Sequence, residues 1–140
     1  MSYLLDTCVI SELASKRPQP DVVQWIDSVD PESVYLSVIT IGEIRKGIEK
    51  LEASKRKETL QAWLQDELLV RFKDRLAVLD TGVLLEWGTL MGRLEKRGKP
   101  MPAVDSLIAA TALHRHLILV TRNEDDFLNA GVRLLNPWKK

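Results

Sequence analysis

Four carboxylates stand where an apolar run stops or a helical segment begins, and they are Asp6, Glu43, Asp105 and Asp126. Asp6 follows the apolar run 3–5, Glu43 follows the run 34–39, and Asp126 lies just beyond the run 117–121. If these runs are neighbouring parallel strands, their carboxyl ends converge at one edge of the sheet. The pattern therefore predicts that acids far apart in the chain meet at a metal site.

The chemistry of such a site follows from its donors. Four hard oxygen ligands with no His or Cys among them favour Mg²⁺ or Mn²⁺ over Zn²⁺. Mg²⁺ is usually held by one or two carboxylates and keeps several waters, with substrate phosphate completing its coordination. An ion bound in this way can activate a water and stabilise charge at a phosphodiester, so the acids predict phosphodiester cleavage.

Three of the acids also have a purely structural explanation. Thr40-x-x-Glu43 fits a capping box, in which the glutamate bonds back to the first amide of a helix. Asp105 at the start of an alanine-rich helix complements the helix dipole, and Asn123-x-x-Asp126 could cap a short helix.

Asp6 is harder to explain structurally because it ends a predicted central strand, where a charge is costly unless it is compensated. The nearest basic residue in sequence is Lys16, so a metal or a helix amide must compensate it. The single cysteine, Cys8, is predicted to be a small buried residue behind Asp6. It cannot form an internal disulfide, which is compatible with a reducing compartment.

The elements that would position these acids alternate between strands and helices, which indicates an α/β protein with a mostly parallel sheet. The candidate strands are 2–6, 33–38, 76–79, 117–121 and 132–135. Several are almost continuously apolar, as expected for strands covered on both faces. The candidate helices are 9–15, 21–29, 40–51, 54–72 and 81–96, with another opening at Asp105 and a short one running through Leu128.

Length and composition bound the alternatives. The chain has 140 residues, 45% of them hydrophobic, and we expect one domain over 1–140. The formal charge is zero, so composition alone does not indicate a nucleic-acid partner. The N-terminus enters a strand rather than a signal peptide, and no apolar run approaches the ~20 residues of a membrane span. We therefore expect a cytoplasmic protein.

Other catalytic templates do not fit. His114 and His116 have no Ser or Asp spacing that suggests a triad, and we interpret them as surface residues near a helix end. Glycine-rich phosphate loops are absent from the sequence. The four tryptophans, Trp25, Trp63, Trp87 and Trp138, occur mostly among Leu and Val, which favours core packing over base stacking.

Four segments together resemble one known family: LLDTCVISE at 4–12, SVITIGEI at 37–44, DSLIAATA at 105–112 and VTRNEDDF at 120–127. In this order and spacing they resemble the PIN-domain ribonucleases of the VapC toxin type. The resemblance implies a Rossmann-like three-layer α/β/α fold with a five-stranded sheet and Mg²⁺- or Mn²⁺-dependent endoribonuclease activity. It also implies a homodimer and a cognate antitoxin that covers the active-site groove.

The resemblance also assigns residues. Asp6, Glu43 and Asp105 match the three most constant acids of the family. The fourth position is filled either by Asn123 or by Asp126, and we favour Asp126 as an outer or water-mediated ligand with Asn123 orienting water.

Residues around these acids have candidate supporting roles. Cys8 stands where many members have Asn, which leaves open any substrate-orienting role there. Hydroxyls of Thr7, Ser11 and Thr121 could brace the carboxylates, although ordinary strand-end hydrogen bonding fits equally well.

Four basic residues are candidates for contact with RNA phosphates, and they are Arg45, Lys46, Lys99 and Arg122. The alternative is a solvated helix face. Two rival functions remain. A receiver-like module needs a late-strand lysine that is missing from the closing strand, and a non-catalytic PIN scaffold would only bind RNA.

Overall fold

A twisted parallel sheet forms the centre of the protein. The structure, a computed structural model, describes residues 1–139, and within them five strands form one sheet in the order β3-β2-β1-β4-β5. The strands are β1 Tyr3–Leu5, β2 Val34–Ser37, β3 Leu76–Ala77, β4 Ile118–Val120 and β5 Leu134–Leu135. Every neighbouring pair is parallel, and β1 pairs with β2 on one side and β4 on the other. Strand order therefore reverses between β1 and β4, which is where ligands bind in open α/β sheets.

Helices connect the strands and cover the sheet. Within the same residues they are α1 Thr7–Leu13, α2 Pro20–Ser28, α3 Val38–Glu49, α4 Lys55–Trp63, α5 Leu69–Arg71, α6 Thr81–Lys96 and α7 Ala103–Arg115. A π-helical turn, Leu64–Leu68, joins α4 to α5, and short 3₁₀ turns span Pro31–Ser33 and Glu124–Ala130. None of the helices in this part of the chain is long and apolar enough to cross a membrane.

The core lies on both faces of the sheet because successive residues of a strand point to opposite sides. Leu5 packs into one buried cluster with Val9 of α1, while Leu4 packs into the other with Leu94 of α6 and Ile108 of α7. Both β1 leucines are fully buried. The predicted three-layer α/β/α arrangement with a five-stranded sheet is therefore confirmed.

Helix starts differ most from the prediction. α3 begins at Val38 instead of Thr40, because the Ser37 hydroxyl caps it by accepting a hydrogen bond from the Ile39 N–H at 3.0 Å. The predicted capping box is therefore wrong. α1 likewise begins at Thr7, two residues earlier than predicted, with Asp6 as its cap.

Two helices are followed by residues with a left-handed backbone conformation. α6 runs over the predicted span and is followed by Gly98 at φ 69°. α7 ends at Arg115 and is capped by His116, which adopts a left-handed conformation at φ 57° that glycine accommodates with less strain. The predicted helix 54–72 is interrupted by the π-helical turn, which no feature of its apolar stripe indicated.

Candidate metal centre

Asp6 lies at the carboxyl end of the central strand and is only 6% exposed. Its Oδ1 accepts a hydrogen bond from the Thr7 N–H at 2.9 Å, and its Oδ2 accepts one from the Thr121 hydroxyl at 2.8 Å. Burial raises the pKa of the Asp6 carboxyl, the negative charge of Glu43 raises it further, and the hydrogen bonds oppose the shift. A helix amide thus provides part of the compensation that the sequence required, but no basic side chain does so within residues 1–139.

Glu43 approaches the same edge from the second turn of α3 and is half-buried. The Thr7 hydroxyl donates to Glu43 Oε1 at 2.5 Å and lies 3.2 Å from the hydroxyl oxygen of the buried Thr40. Thr7 therefore links the end of β1 to α3 and fixes one oxygen of the glutamate. Thr40 was predicted to cap α3, but it lies inside the helix beside Thr7, because α3 begins two residues earlier than predicted.

Asp105 and Asp126 complete the set from the other side of β1. Asp105 is in the first turn of α7, where burial and then the charges of Asp6, Asp126 and Glu43 raise the pKa of its carboxyl. Asp126 lies on the 3₁₀ turn after β4 and is exposed. Because Asp105 responds to the charges of the other three acids, the fold brings all four acids into one negative field.

Among residues 1–139, no salt bridge offsets the negative charge of the four acids. Over the described range, salt bridges join Arg45 to Glu49 at 3.8 Å and Lys139 to Glu124 at 2.8 Å, and neither involves the four acids. The donor chemistry therefore fits a hard divalent cation. The same residues contain no group of three or more His, Cys, Asp or Glu side chains placed so that they could together hold a metal ion. Coordination through one or two of the carboxylates plus water is the arrangement that suits this geometry.

The smaller residues around the acids have distinct positions. The Thr121 hydroxyl also accepts a hydrogen bond from the Asn123 N–H at 3.0 Å, so it contacts both Asp6 and the loop after β4. Asn123 precedes the 3₁₀ turn but makes no side-chain cap, which makes the predicted cap wrong. Ser11 lines a groove that also contains Thr7 and Glu43.

Cys8 is half-buried, so the expectation of a buried residue is wrong. Its Sγ accepts a hydrogen bond from the Arg122 N–H at 3.5 Å and donates to Asp6 Oδ2 at 3.8 Å. Burial raises the pKa of the thiol. The side chain packs against the core cluster that contains Leu5 and Val9 on one side and contacts the polar loop after β4 on the other.

The predicted RNA-binding residues are all exposed, and they are Arg45, Lys46, Lys99 and Arg122. Arg45 pairs with Glu49 of its own helix. Arg122 is different, because its guanidinium carbon lies 5.6 Å from the centroid of the Trp138 ring. Trp138 packs against the core cluster as expected, but its contact with Arg122 was not foreseen.

Comparison with known proteins agrees with this architecture. A family model described as the PIN domain matches residues 3–132. The chain is 38% identical over 135 residues to toxin FitB of Neisseria gonorrhoeae, covering 96% of this chain and 97% of FitB. It is 36% identical over 136 residues to VapC ribonuclease Y4jK of Sinorhizobium fredii, covering 97% of each chain.

Solved structures give the same result. FitAcB from Neisseria gonorrhoeae superposes with a TM-score of 0.93 at 38% identity, covering 99% of both chains. VapBC2 from Rickettsia felis bound to a promoter DNA fragment gives a TM-score of 0.82 at 26% identity, covering 97% of this chain and 98% of that one.

Proposed function

The chain belongs to the PIN-domain family, and from that premise we propose that it is a metal-dependent endoribonuclease that acts as the toxin of a toxin-antitoxin pair. One observation supports this most. The buried Asp6 shares a negative field with Glu43, Asp105 and Asp126, and no cationic side chain of residues 1–139 neutralises any of them. Such a cluster is costly to the fold, and a bound cation offsets the cost.

In this proposal each side chain has a defined task. Asp6, Glu43 and Asp105 would hold a divalent ion, with Asp126 as an outer or water-mediated ligand and Asn123 orienting water. A bound Mg²⁺ or Mn²⁺ would lower the pKa of a coordinated water and offset charge on the phosphodiester. The Thr7 hydroxyl occupies one oxygen of Glu43, which leaves the other oxygen free to face that water. Thr121 keeps Asp6 oriented through a bond between β4 and β1.

The experiment is incubation of purified protein with total cellular RNA and Mn²⁺, followed by mapping of the cleavage ends. Asp6→Asn should abolish cleavage, because the acid is replaced by a neutral group of the same shape. Asp30→Asn is the matched control, since Asp30 also caps a turn, accepting from the Glu32 N–H at 3.0 Å, but before β2 begins. Cleavage by Asp6→Asn at the wild-type rate would rule out this mechanism.

A non-catalytic RNA-binding scaffold is the second candidate. It is favoured by the finding that residues 1–139 contain no group of three or more His, Cys, Asp or Glu side chains that could together hold a metal ion. The same experiment separates the two. A binding scaffold would retain RNA in a gel-shift assay, produce no cleavage ends with Mn²⁺, and respond to Asp6→Asn no more than to Asp30→Asn.

A cognate antitoxin is the proposed partner. The similar FitAcB and VapBC2 assemblies, which are toxin–antitoxin complexes, support this partner. A groove runs from Thr7 and Glu43 past Ser11 to Leu60 and Trp63, so a segment lying in it would contact Glu43 at one end of the acidic set. Overexpression of the chain alone should arrest growth. Recovery of the free, active protein from cells that grow normally would count against the partner.

The remaining proposals concern assembly. We propose one domain over 1–140, a homodimer and a cytoplasmic location. Light scattering on the purified protein tests the dimer, with an expected mass of about twice the 15.9 kDa of the chain.

A further inference from the structure

We propose that Trp138 is a positioning residue that holds the Arg122 guanidinium beside the acidic cluster, where it binds a phosphate of the RNA. This inference rests on the proposed ribonuclease function and adds to it a residue from the C-terminal segment. It assigns a role in RNA binding to a tryptophan that the sequence pattern predicts only as a core residue.

The backbone of Arg122 is fixed next to the acids. It directly follows Thr121, whose hydroxyl binds Asp6, and its own N–H donates to Cys8 Sγ at 3.5 Å. The side chain leaves this anchored backbone and lies over the Trp138 ring at 5.6 Å. A guanidinium at this distance from an indole face is held by cation–π attraction and stacking.

The Trp138 ring is itself held from two sides. Its indole N–H donates to Glu12 Oε1 of α1 at 3.1 Å, and its backbone N–H donates to Asn136 Oδ1 at 2.9 Å. The ring also packs against the core cluster that contains Leu5 and Val120. The surface under Arg122 is therefore tied to α1, to the core and to the C-terminal segment.

Competing acids do not capture the guanidinium. Glu124, two residues along the loop, is engaged by the Lys139 ammonium at 2.8 Å and by the Asn136 amide at 3.1 Å. Across residues 1–139 Arg122 forms no salt bridge. Its contact with Trp138 thus engages the guanidinium without an ion pair to the acids, so its N–H donors are not committed to a carboxylate.

An arginine held in this way suits a phosphate. Its guanidinium has five N–H donors in a planar fork, and the face stacked on a ring leaves the edge available for bidentate contact. Fixing the side chain before binding reduces the entropy lost when RNA binds. The loss of Trp138 should therefore weaken RNA binding while leaving the chemical step intact.

The test uses a fluorescent single-stranded RNA oligonucleotide that the wild-type protein cleaves in Mn²⁺. Trp138→Leu should raise KM about twofold to fivefold, as expected for the loss of one cation–π contact, with kcat unchanged. Arg122→Gln should raise KM by at least as much. Trp138→Leu in the Arg122→Gln background should add nothing, because the two residues act as one unit. Trp138→Phe, which keeps a ring face, should restore most of the loss.

A purely structural role for Trp138 gives a different pattern. Trp138→Leu would then lower the melting temperature and impair activity equally with or without Arg122, which would overturn the inference. If Trp138→Leu does not fold, Glu12→Ala tests the inference instead, because it removes the carboxylate that accepts the Trp138 indole N–H without changing the core. Its KM effect must disappear in the Arg122→Gln background. Failure of the wild-type protein to cleave any RNA would instead refute the proposed function itself.

Discussion

Replacing Asp6 with Asn should reverse the order of stability between metal-free and metal-bound protein. The substitution keeps the shape of the side chain and an oxygen that accepts the Thr7 N–H, and Asn caps helices about as well as Asp. The new amide N–H group would face Thr121 and could donate a hydrogen bond to its hydroxyl oxygen. The Thr121 hydroxyl hydrogen could then turn toward Cys8 Sγ, 3.6 Å away. The change therefore removes a buried charge at little cost in hydrogen bonds.

The expected change in the free energy of unfolding follows from removing that buried charge. Burial raises the pKa of Asp6, so the ionised carboxylate destabilises the metal-free fold near neutral pH. We expect Asp6→Asn to raise the free energy of unfolding in EDTA by about 1 kcal/mol, the usual size of a single-residue effect, which is about 3 to 5 °C in melting temperature for a domain of this size. Mn²⁺ at a hundredfold excess over its dissociation constant should stabilise the wild-type protein by about 2.7 kcal/mol. The variant should lose most of that gain.

Differential scanning fluorimetry across a Mn²⁺ titration measures both effects in one experiment. The variant should melt above the wild-type protein in EDTA and below it at saturating Mn²⁺. Asp30→Asn, the capping control, should leave the Mn²⁺ response unchanged. A variant that is less stable in EDTA, or one that keeps the full Mn²⁺ shift, would refute the argument that Asp6 is a destabilising metal ligand.

Three further predictions follow. In EDTA the wild-type protein should lose stability relative to Asp6→Asn as pH rises from 3.8, the ordinary pKa of Asp, through the raised pKa of Asp6, because the folded state holds that proton more tightly. Urea titrations at several pH values would measure this, and a stability difference that does not change with pH would contradict it. Thr7→Val should reduce kcat on RNA about tenfold by freeing Glu43, with Mn²⁺ uptake retained by calorimetry; an unchanged kcat would remove Thr7 from the mechanism. His116→Gly should raise the free energy of unfolding by about 1 kcal/mol by relieving the left-handed backbone, whereas Gly98→Ala should lower it by a similar amount; a loss of stability in His116→Gly would show that the imidazole itself stabilises the helix end.

Much of the fold was predictable because strands of a parallel sheet that are buried on both faces appear in the sequence as nearly continuous apolar runs. The runs that became β1, β2 and β4 are buried on both faces, and their parallel order brings Asp6 near the loop that carries Asp126. Asp105 joined them because its helix enters from the same edge. These contacts follow from topology, which patterns of residue type can indicate.

The features that the sequence did not predict depend on competing local preferences or on contacts between distant parts of the chain. Val38 and Ile39 are β-branched and favour a strand, so the start of α3 was placed late although Ser37 is an equally good cap. The stacking of Arg122 on Trp138 has no periodic signal, since the two residues are in different elements and meet only after β5 docks. Half-burial of Cys8 likewise depends on a loop from the far end of the chain.

The bond between Asp6 and Thr121 spans 115 positions of the chain, and this separation has a consequence during synthesis. Domains begin to fold from their N-terminal part while the ribosome is still working. A nascent chain that lacks β4 and the loop after it has neither the Thr121 hydroxyl nor Asp126, so under the proposed mechanism it would not yet cleave RNA. Nuclease activity would arise only when nearly the whole chain has emerged, which leaves the cell time to supply the inhibitor.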